Sequence, residues 1–166
     1  MTDENLRTKT VWTGKYRDIT YEVNNWNVDG IGDCWSFYLY IQLAQLPEEI
    51  SERFWLPGKP AGIGKHIMFD YNSETLIRDL DWHCGCTYYK KHGHDGEQRV
   101  VQIGCDYSHY WDQGHRYNID YVAQEARACI DSLHEMIDDI KRWCTYCGVF
   151  FRPEDDEQRC KDCKDK

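Results

Sequence analysis

The sequence predicts an α+β fold: an antiparallel sheet of about four to six strands, one long C-terminal helix packed on it, and a zinc ribbon after the helix. Three observations carry this expectation. Two runs of residues alternate strictly between apolar and polar, one long stretch repeats apolar positions every three or four residues, and two Cys-x-x-Cys pairs close the chain. A chain of 166 residues lies near the common size of one domain and buries roughly two thirds of its unfolded surface. The expected organisation is an α+β domain over 1–143 and a zinc-ribbon tail over 144–166.

The first alternation puts Ile19, Tyr21 and Val23 on one face of a strand, and the second does the same for Trp35, Phe37, Leu39, Ile41 and Leu43. Between them Asn24 to Gly32 is polar and contains the turn pair Asp29-Gly30, so the reading is a hairpin with a long loop. Pro47 to Lys65 is read as irregular. Its glycines and Lys65 invite comparison with a phosphate-binding loop, but the spacing is wrong, Pro60 interrupts it, and His66 stands where Ser or Thr would hold magnesium. A surface loop is the better reading, with Lys59, Lys65 and His66 available to an anion. His66 to Tyr71 is a short apolar run and Leu76 to Trp82 alternates weakly, so one or two more strands are expected there. Thr87 to Lys90, the turn His92 to Gly96, and Arg99 to Cys105 form a second hairpin.

Asn118 is a suitable N-cap. After it, Ile119, Val122, Ala126, Ile130, Leu133, Ile137 and Ile140 fall at helical steps, which predicts an amphipathic helix over 118–143, about 25 residues or ~38 Å long. Glu125, Arg127, Asp131, Glu135, Asp138 and Asp139 make its solvated face.

Acidic residues outnumber basic ones by 29 to 20, a net charge of −9, which disfavours binding to duplex nucleic acid. No apolar run reaches the roughly 18 residues of a membrane span, and the polar N-terminus does not read as a secretory signal. Nine cysteines is an odd number, and four of them fall in Cys-x-x-Cys pairs, so metal-bound thiolates in a reducing compartment fit better than a disulfide scaffold.

Cys144-Thr145-Tyr146-Cys147 and Cys160-Lys161-Asp162-Cys163 supply four sulfurs. Two residues between cysteines let both thiolates of a pair reach one ion at ~2.3 Å, and Gly148 lets the backbone turn beneath. The segment resembles a zinc ribbon. Cys144, Cys147, Cys160 and Cys163 fill all four positions of a tetrahedron, so the expected zinc, one per chain, is structural. Glu154 to Glu157 form an acidic loop beside it, which favours a protein partner over DNA.

The chemistry-bearing residues cluster elsewhere, in His83-Cys84-Gly85-Cys86-Thr87-Tyr88 and in Gly104-Cys105-Asp106-Tyr107-Ser108-His109-Tyr110-Trp111-Asp112. The order His-x-Gly-x-Thr-Tyr, hairpin, Gly-x-Asp-x-x-His-x-x-Asp, helix resembles a group of small proteins common in bacteriophages and bacteria. The likeness spans roughly residues 34 to 140; Cys84 stands where that group usually has glycine, and the ribbon is outside it. The resemblance implies a phage-type accessory protein working in the cytoplasm of a bacterial host.

Three physical readings compete for these residues. In one, His83, Thr87, Tyr88, Asp106, His109 and Trp111 line a concave site with aromatic walls suited to a flat, nucleotide-like ligand. In another, Asp106, His109 and Asp112, with His115, hold a catalytic metal, their spacing in threes aligning them on a helical turn. In the third they are packed core and cap residues. Cys84, Cys86 and Cys105 with His92 or His94 are a candidate second metal site of less typical spacing. A thiol nucleophile at Cys86 or Cys105 lacks any oxyanion-hole or nucleophile-turn signature.

The leading expectation is therefore a non-enzymatic binding protein, stabilised by zinc, that inhibits or sequesters a host component, either a defence protein or a nucleotide signal. The alternatives are a metal-dependent phosphoester hydrolase and a scaffold that docks a host nucleic-acid enzyme through the ribbon. A homodimer is compatible with all three.

Overall fold

Five antiparallel strands make one sheet in the order β1-β2-β3-β5-β4: β1 Thr10–Tyr16, β2 Ile19–Val28, β3 Gly32–Gln42, β4 Tyr88–His92 and β5 Val100–Asp106. Among the described residues two α-helices accompany them, α1 Glu48–Phe54 and α2 Ile119–Ile140. The structure is a computed structural model that describes residues 9–56, 76–94, 98–107, 112, 114–140 and 163. It divides into two compact units, Met1–Ile130 and Asp131–Lys166. The α+β class and the antiparallel sheet are those expected.

Alternation decides which residues meet. Val23, Phe37, Leu39, Ile41, Tyr89, Val101, Ile103 and Cys105 point to one face and are buried. Each large apolar side chain withdrawn in this way contributes about 1.5–3 kcal/mol. Glu22, Tyr38, Tyr40, Tyr88 and Gln102 point to the other face, as the registers Glu22↔Tyr38, Tyr38↔Gly104 and Tyr88↔Gly104 require. Gly104 lies between Tyr38 and Tyr88, whose rings meet edge-on at 4.9 Å and 69°. A Cβ there would sit 2.4 Å from both Phe37 O and Tyr38 Cδ1, so glycine is what lets the two rings converge.

The β2–β3 hairpin departs from the expected long loop. Both strands run on through the asparagines, pairing Asn24 with Ser36 and Val28 with Gly32, and only Asp29-Gly30-Ile31 turn. Side-chain bonds stabilise this polar stretch: Asn24 Nδ2 donates to Glu22 Oε1 (2.9 Å), Asn25 Nδ2 to Cys34 O (3.3 Å) and Asn27 Nδ2 to Asp33 Oδ1 (3.1 Å). β1 was not anticipated, because its residues are exposed or half-buried and show no apolar alternation. It joins β2 through Arg17 and Asp18, both with positive φ (45° and 64°), as a two-residue turn matching the strand twist requires.

Two further expectations are corrected. Within Pro47 to Lys65, read as irregular, α1 forms with Glu48 and Glu49 in its first turn and buries Ile50, Ser51 and Phe54. Leu76 to Trp82 is no strand: Leu76–Asp79 is a 3-10 turn, because Leu76, Ile77 and Leu80 are all buried, a helical rather than alternating spacing. Trp82 Nε1 donates to Ile77 O at 2.6 Å and closes the turn. The anion-loop residues Lys59, Lys65 and His66 and the run from His66 to Tyr71 lie outside the described residues.

Helix α2 starts where expected. Asn118 Oδ1 accepts the Tyr121 N–H (2.9 Å) and Asn118 O accepts that of Val122 (3.1 Å), a cap worth ~1 kcal/mol. In the first unit its buried side carries Val122, Ala123, Ala126, Cys129 and Ile130, while Arg127 Nη2 donates to Tyr21 Oη at 3.1 Å. In the second unit Leu133 and Ile137 are buried. No helix among the described residues is long and apolar enough to cross a membrane.

Candidate functional site

The end of the buried sheet face, beyond Cys105, is where polar chemistry gathers. Tyr107 N donates to Trp35 O (2.8 Å), so the β3–β5 ladder extends by one pair and sets Trp35 and Tyr107 on the same face. The Tyr107 ring supports His83: the two stack at 4.1 Å and 21°. Phe37 lies behind, stacked on Trp82 at 5.7 Å. His83 is thereby placed by the loop before β4, and its ring is fixed by the sheet.

His83 Nε2 donates to Asp112 Oδ1 at 2.8 Å, and the Tyr117 hydroxyl donates to the same oxygen at 2.6 Å. Asp112 is only 3% exposed, and two donors on one carboxylate oxygen compensate for the water it has lost. His83 Nδ1 lies 3.8 Å from Glu125 Oε2 on α2, so the imidazole sits between two carboxylates. Tyr117 meets the Tyr107 ring edge-on at 4.9 Å and continues to Tyr121 at 5.4 Å. Burial, followed by the bond to Asp112, raises the Tyr117 phenol above its ordinary range. Burial also raises Tyr107, so both hydroxyls stay neutral at ordinary pH.

Beside this network opens a cleft of about 200 Å³ whose lining includes Trp35, Tyr107, Asp112, His115, Arg116 and Tyr117. Fully formed small-molecule pockets run to about 300–1,000 Å³, so this cleft is smaller than those. His115 and Arg116 are exposed and stand at its rim, and the His115 ring stacks on Tyr117 at 5.9 Å and 25°. The exposed Asp33 also belongs to the lining, so the rim carries the Arg116 guanidinium and a carboxylate together.

The residues expected to share one site are divided by the sheet. His83 belongs to the network. Thr87 is buried, its N–H donating to Gly104 O at 2.9 Å, and extends the β4 pairing. Tyr88 and Asp106 fall on the opposite face, beside Tyr38 and Ser36, because they alternate with the buried Tyr89 and Cys105. His109 and Trp111 lie outside the described residues. Asp106 ends β5, His109 lies outside the described residues, and Asp112 pairs with His83. Sequence reasoning missed Trp35, Arg116 and Tyr117 as site residues. The recognisable signal was the tyrosine at the entry to α2, with Tyr121 one turn on.

Three of the buried cysteines are not poised for chemistry. Burial pushes the Cys86 thiol up to about 12 and holds Cys105 and Cys129 well above their ordinary range, so none supplies a thiolate at neutral pH. His92, one partner suggested for a second metal site, instead shares a hydrogen bond with Gln102 at 2.9 Å. Among the described residues no group of three or more His, Cys, Asp or Glu is placed to hold a metal ion. Of the ribbon cysteines, Cys163 is described and buried; Cys144, Cys147 and Cys160 lie outside the described residues. Comparison with family models, curated proteins and solved structures returns no match for the chain.

Proposed function

We propose that the protein is a non-enzymatic binding protein whose recognition element is the aromatic cleft beside His83, and that it acts as a phage-type factor that inhibits or sequesters a component of a bacterial host. The observation that carries this reading is the His83–Asp112–Tyr117 network. These groups hold one another in fixed geometry beside an aromatic cleft, an arrangement suited to presenting a rigid surface. The raised thiols fit the same reading, since they remove the obvious nucleophiles. The cleft's aromatic lining and Arg116 at its rim, despite the carboxylate of Asp33, favour a nucleotide signal, with its base between Trp35 and Tyr117 and its phosphate toward Arg116. The resemblance of residues 34 to 140 to small phage and bacterial proteins supplies the host context. A structural zinc on Cys144, Cys147, Cys160 and Cys163 completes the proposal.

Calorimetric titration with nucleoside mono-, di- and cyclic phosphates tests it, alongside capture from host lysate with mass spectrometry of proteins and nucleotides. A nucleotide that binds the wild type and loses at least tenfold in affinity with Tyr117→Ala or Arg116→Ala is the expected result. Failure of every nucleotide and of every lysate component to bind the folded chain would sink the proposal. Metal analysis should return one zinc per chain, lost when Cys144→Ser and Cys147→Ser are combined.

A hydrolase is the second reading, favoured by the imidazole lying between Asp112 and Glu125. It requires metal beyond one zinc per chain and phosphoesterase activity that His83→Ala abolishes with the fold intact.

A further inference from the structure

We propose that the outer edge of β1 accepts an additional strand from a protein partner, an extended segment whose residues alternate between acidic and apolar. The inference goes beyond the cleft and does not depend on it.

The two edges of the sheet are unlike. On the β4 side, Lys91 is 6% exposed and its ammonium lies 4.6 Å over the Trp55 ring, with the Arg99 guanidinium over the same ring at 5.3 Å. That edge is covered by the residue that follows α1. β1, at the other end of the strand order, has every residue exposed or half-buried. It runs seven residues in unbroken register with β2, from Thr10↔Asn25 to Tyr16↔Ile19. Of the devices that blunt a free edge, β1 has one edge lysine, Lys15, but no proline, and its seven residues pair without a bulge.

Its two faces specify what can join it. Trp12 is opposite Val23 and so lies on the buried-face side, where it stacks on Trp35 at 5.8 Å and 14° yet stays 37% exposed. Alternation puts Val11, Thr13 and Lys15 on the other side, with Lys9 just before the strand and the Lys15 side chain 65% exposed. No acidic residue occurs from 9 to 17, which holds Lys9, Lys15 and Arg17, a basic strip in a chain of net charge −9. Lys15 has Asp18 at 3.6 Å, but both are exposed and such pairs contribute little. Across from Thr13, the Glu22 carboxylate is engaged by Asn24 (2.9 Å) and by the Tyr40 hydroxyl (3.3 Å).

An added strand would place alternate side chains about 4.5–5.5 Å from these, so one set meets the lysines and the other meets Trp12. Carboxylates and apolar groups complement the two faces, and main-chain bonds to the edge provide the sequence-independent part of the affinity. A second copy of the chain fits poorly. Antiparallel self-pairing across a two-fold axis brings the two lysine faces together, where like charges oppose it.

The test uses the full isotope-labelled chain with a synthetic peptide alternating glutamate and isoleucine, its lysine–isoleucine counterpart, and an oligothymidylate. The acidic peptide should slow exchange of alternate β1 amides between 10 and 16. Its affinity should fall about tenfold in the Lys9→Glu, Lys15→Glu chain and to a smaller extent in Trp12→Ser. The neutral pair Lys9→Gln, Lys15→Gln should fall between, which guards against misfolding of the reversed variant. The proposal is overturned if the acidic peptide leaves β1 exchange unchanged, or if the basic peptide or the oligonucleotide protects it equally. Sedimentation showing a dimer whose β1 amides are already protected without peptide would overturn it as well.

Discussion

Replacing Asp112 by asparagine removes one charge and almost no volume, and so isolates what the carboxylate does. The side chain is 3% exposed and receives two hydrogen bonds on one oxygen, from His83 at 2.8 Å and Tyr117 at 2.6 Å. Bonds to a charged acceptor contribute about 1.5–3 kcal/mol each and neutral ones about 0.5–1.5, so neutralising the acceptor costs about 2–3 kcal/mol across the pair. Relief from burying an ion returns part of this, leaving a net loss of about 1–2 kcal/mol. With an m-value near 2 kcal/mol per molar urea, the unfolding midpoint should fall by about 0.5–1 M with m unchanged. Asp112→Ala should be worse, about 2–3 kcal/mol, because it strands two half-buried donors. A double-mutant cycle of Asp112→Asn with Tyr117→Phe should show a coupling of about 1 kcal/mol. An Asn variant as stable as wild type, or strict additivity in the cycle, would refute the network and the preorganised cleft that rests on it.

Three further outcomes are expected. Tyr89→Phe deletes a hydroxyl that donates to Phe54 O (2.9 Å) and accepts from Leu56 N (3.0 Å); urea unfolding should show a loss of about 2–4 kcal/mol from the two stranded backbone groups. Alkaline pH should destabilise the fold: burial raises Cys86 from 9.0 to about 12, so its contribution is whole below pH 9 and is lost as pH climbs toward 12, while the unfolded thiol ionises and the folded one does not. That single group accounts for at most about 4 kcal/mol, and unfolding curves of Cys86→Ala at pH 7.5 and 10 should differ less than those of the wild type. Gly104→Ala must displace the Phe37 carbonyl or the Tyr38 ring, each 2.4 Å from the added carbon; a loss of about 1–3 kcal/mol should appear as a lower Tm.

The parts of the fold visible in the sequence are those where burial imposes a period. Val23, Phe37 and Leu39 alternate because one face of the sheet is dry, and Val122, Ala126 and Ile130 repeat because one side of α2 is. Where burial does not act on alternate residues, pattern fails. β1 is exposed or half-buried and shows no apolar alternation, and the asparagines of β2 look like loop because their pairing is reinforced by side-chain bonds that composition does not reveal. The candidate site was half legible for the same kind of reason. His83 and Asp112 stood out as chemical residue types. Their partnership spans 29 positions and depends on Tyr107 turning toward the ring, which no local spacing encodes. The expectation for Tyr88 and Asp106 failed on parity alone, since one step along a strand changes the face.

The Tyr89 hydroxyl also bears on the order of assembly. Helix α1 has seven residues, too few to persist in isolation, and its C-terminal groups at Phe54 and Leu56 are satisfied by a side chain 35 and 33 positions later. The expected order is that α1 consolidates after the β4–β5 hairpin has formed. In kinetic terms, substitutions at Ile50 or Phe54 should accelerate unfolding and leave the folding rate nearly untouched, whereas those at Ile103 should slow folding.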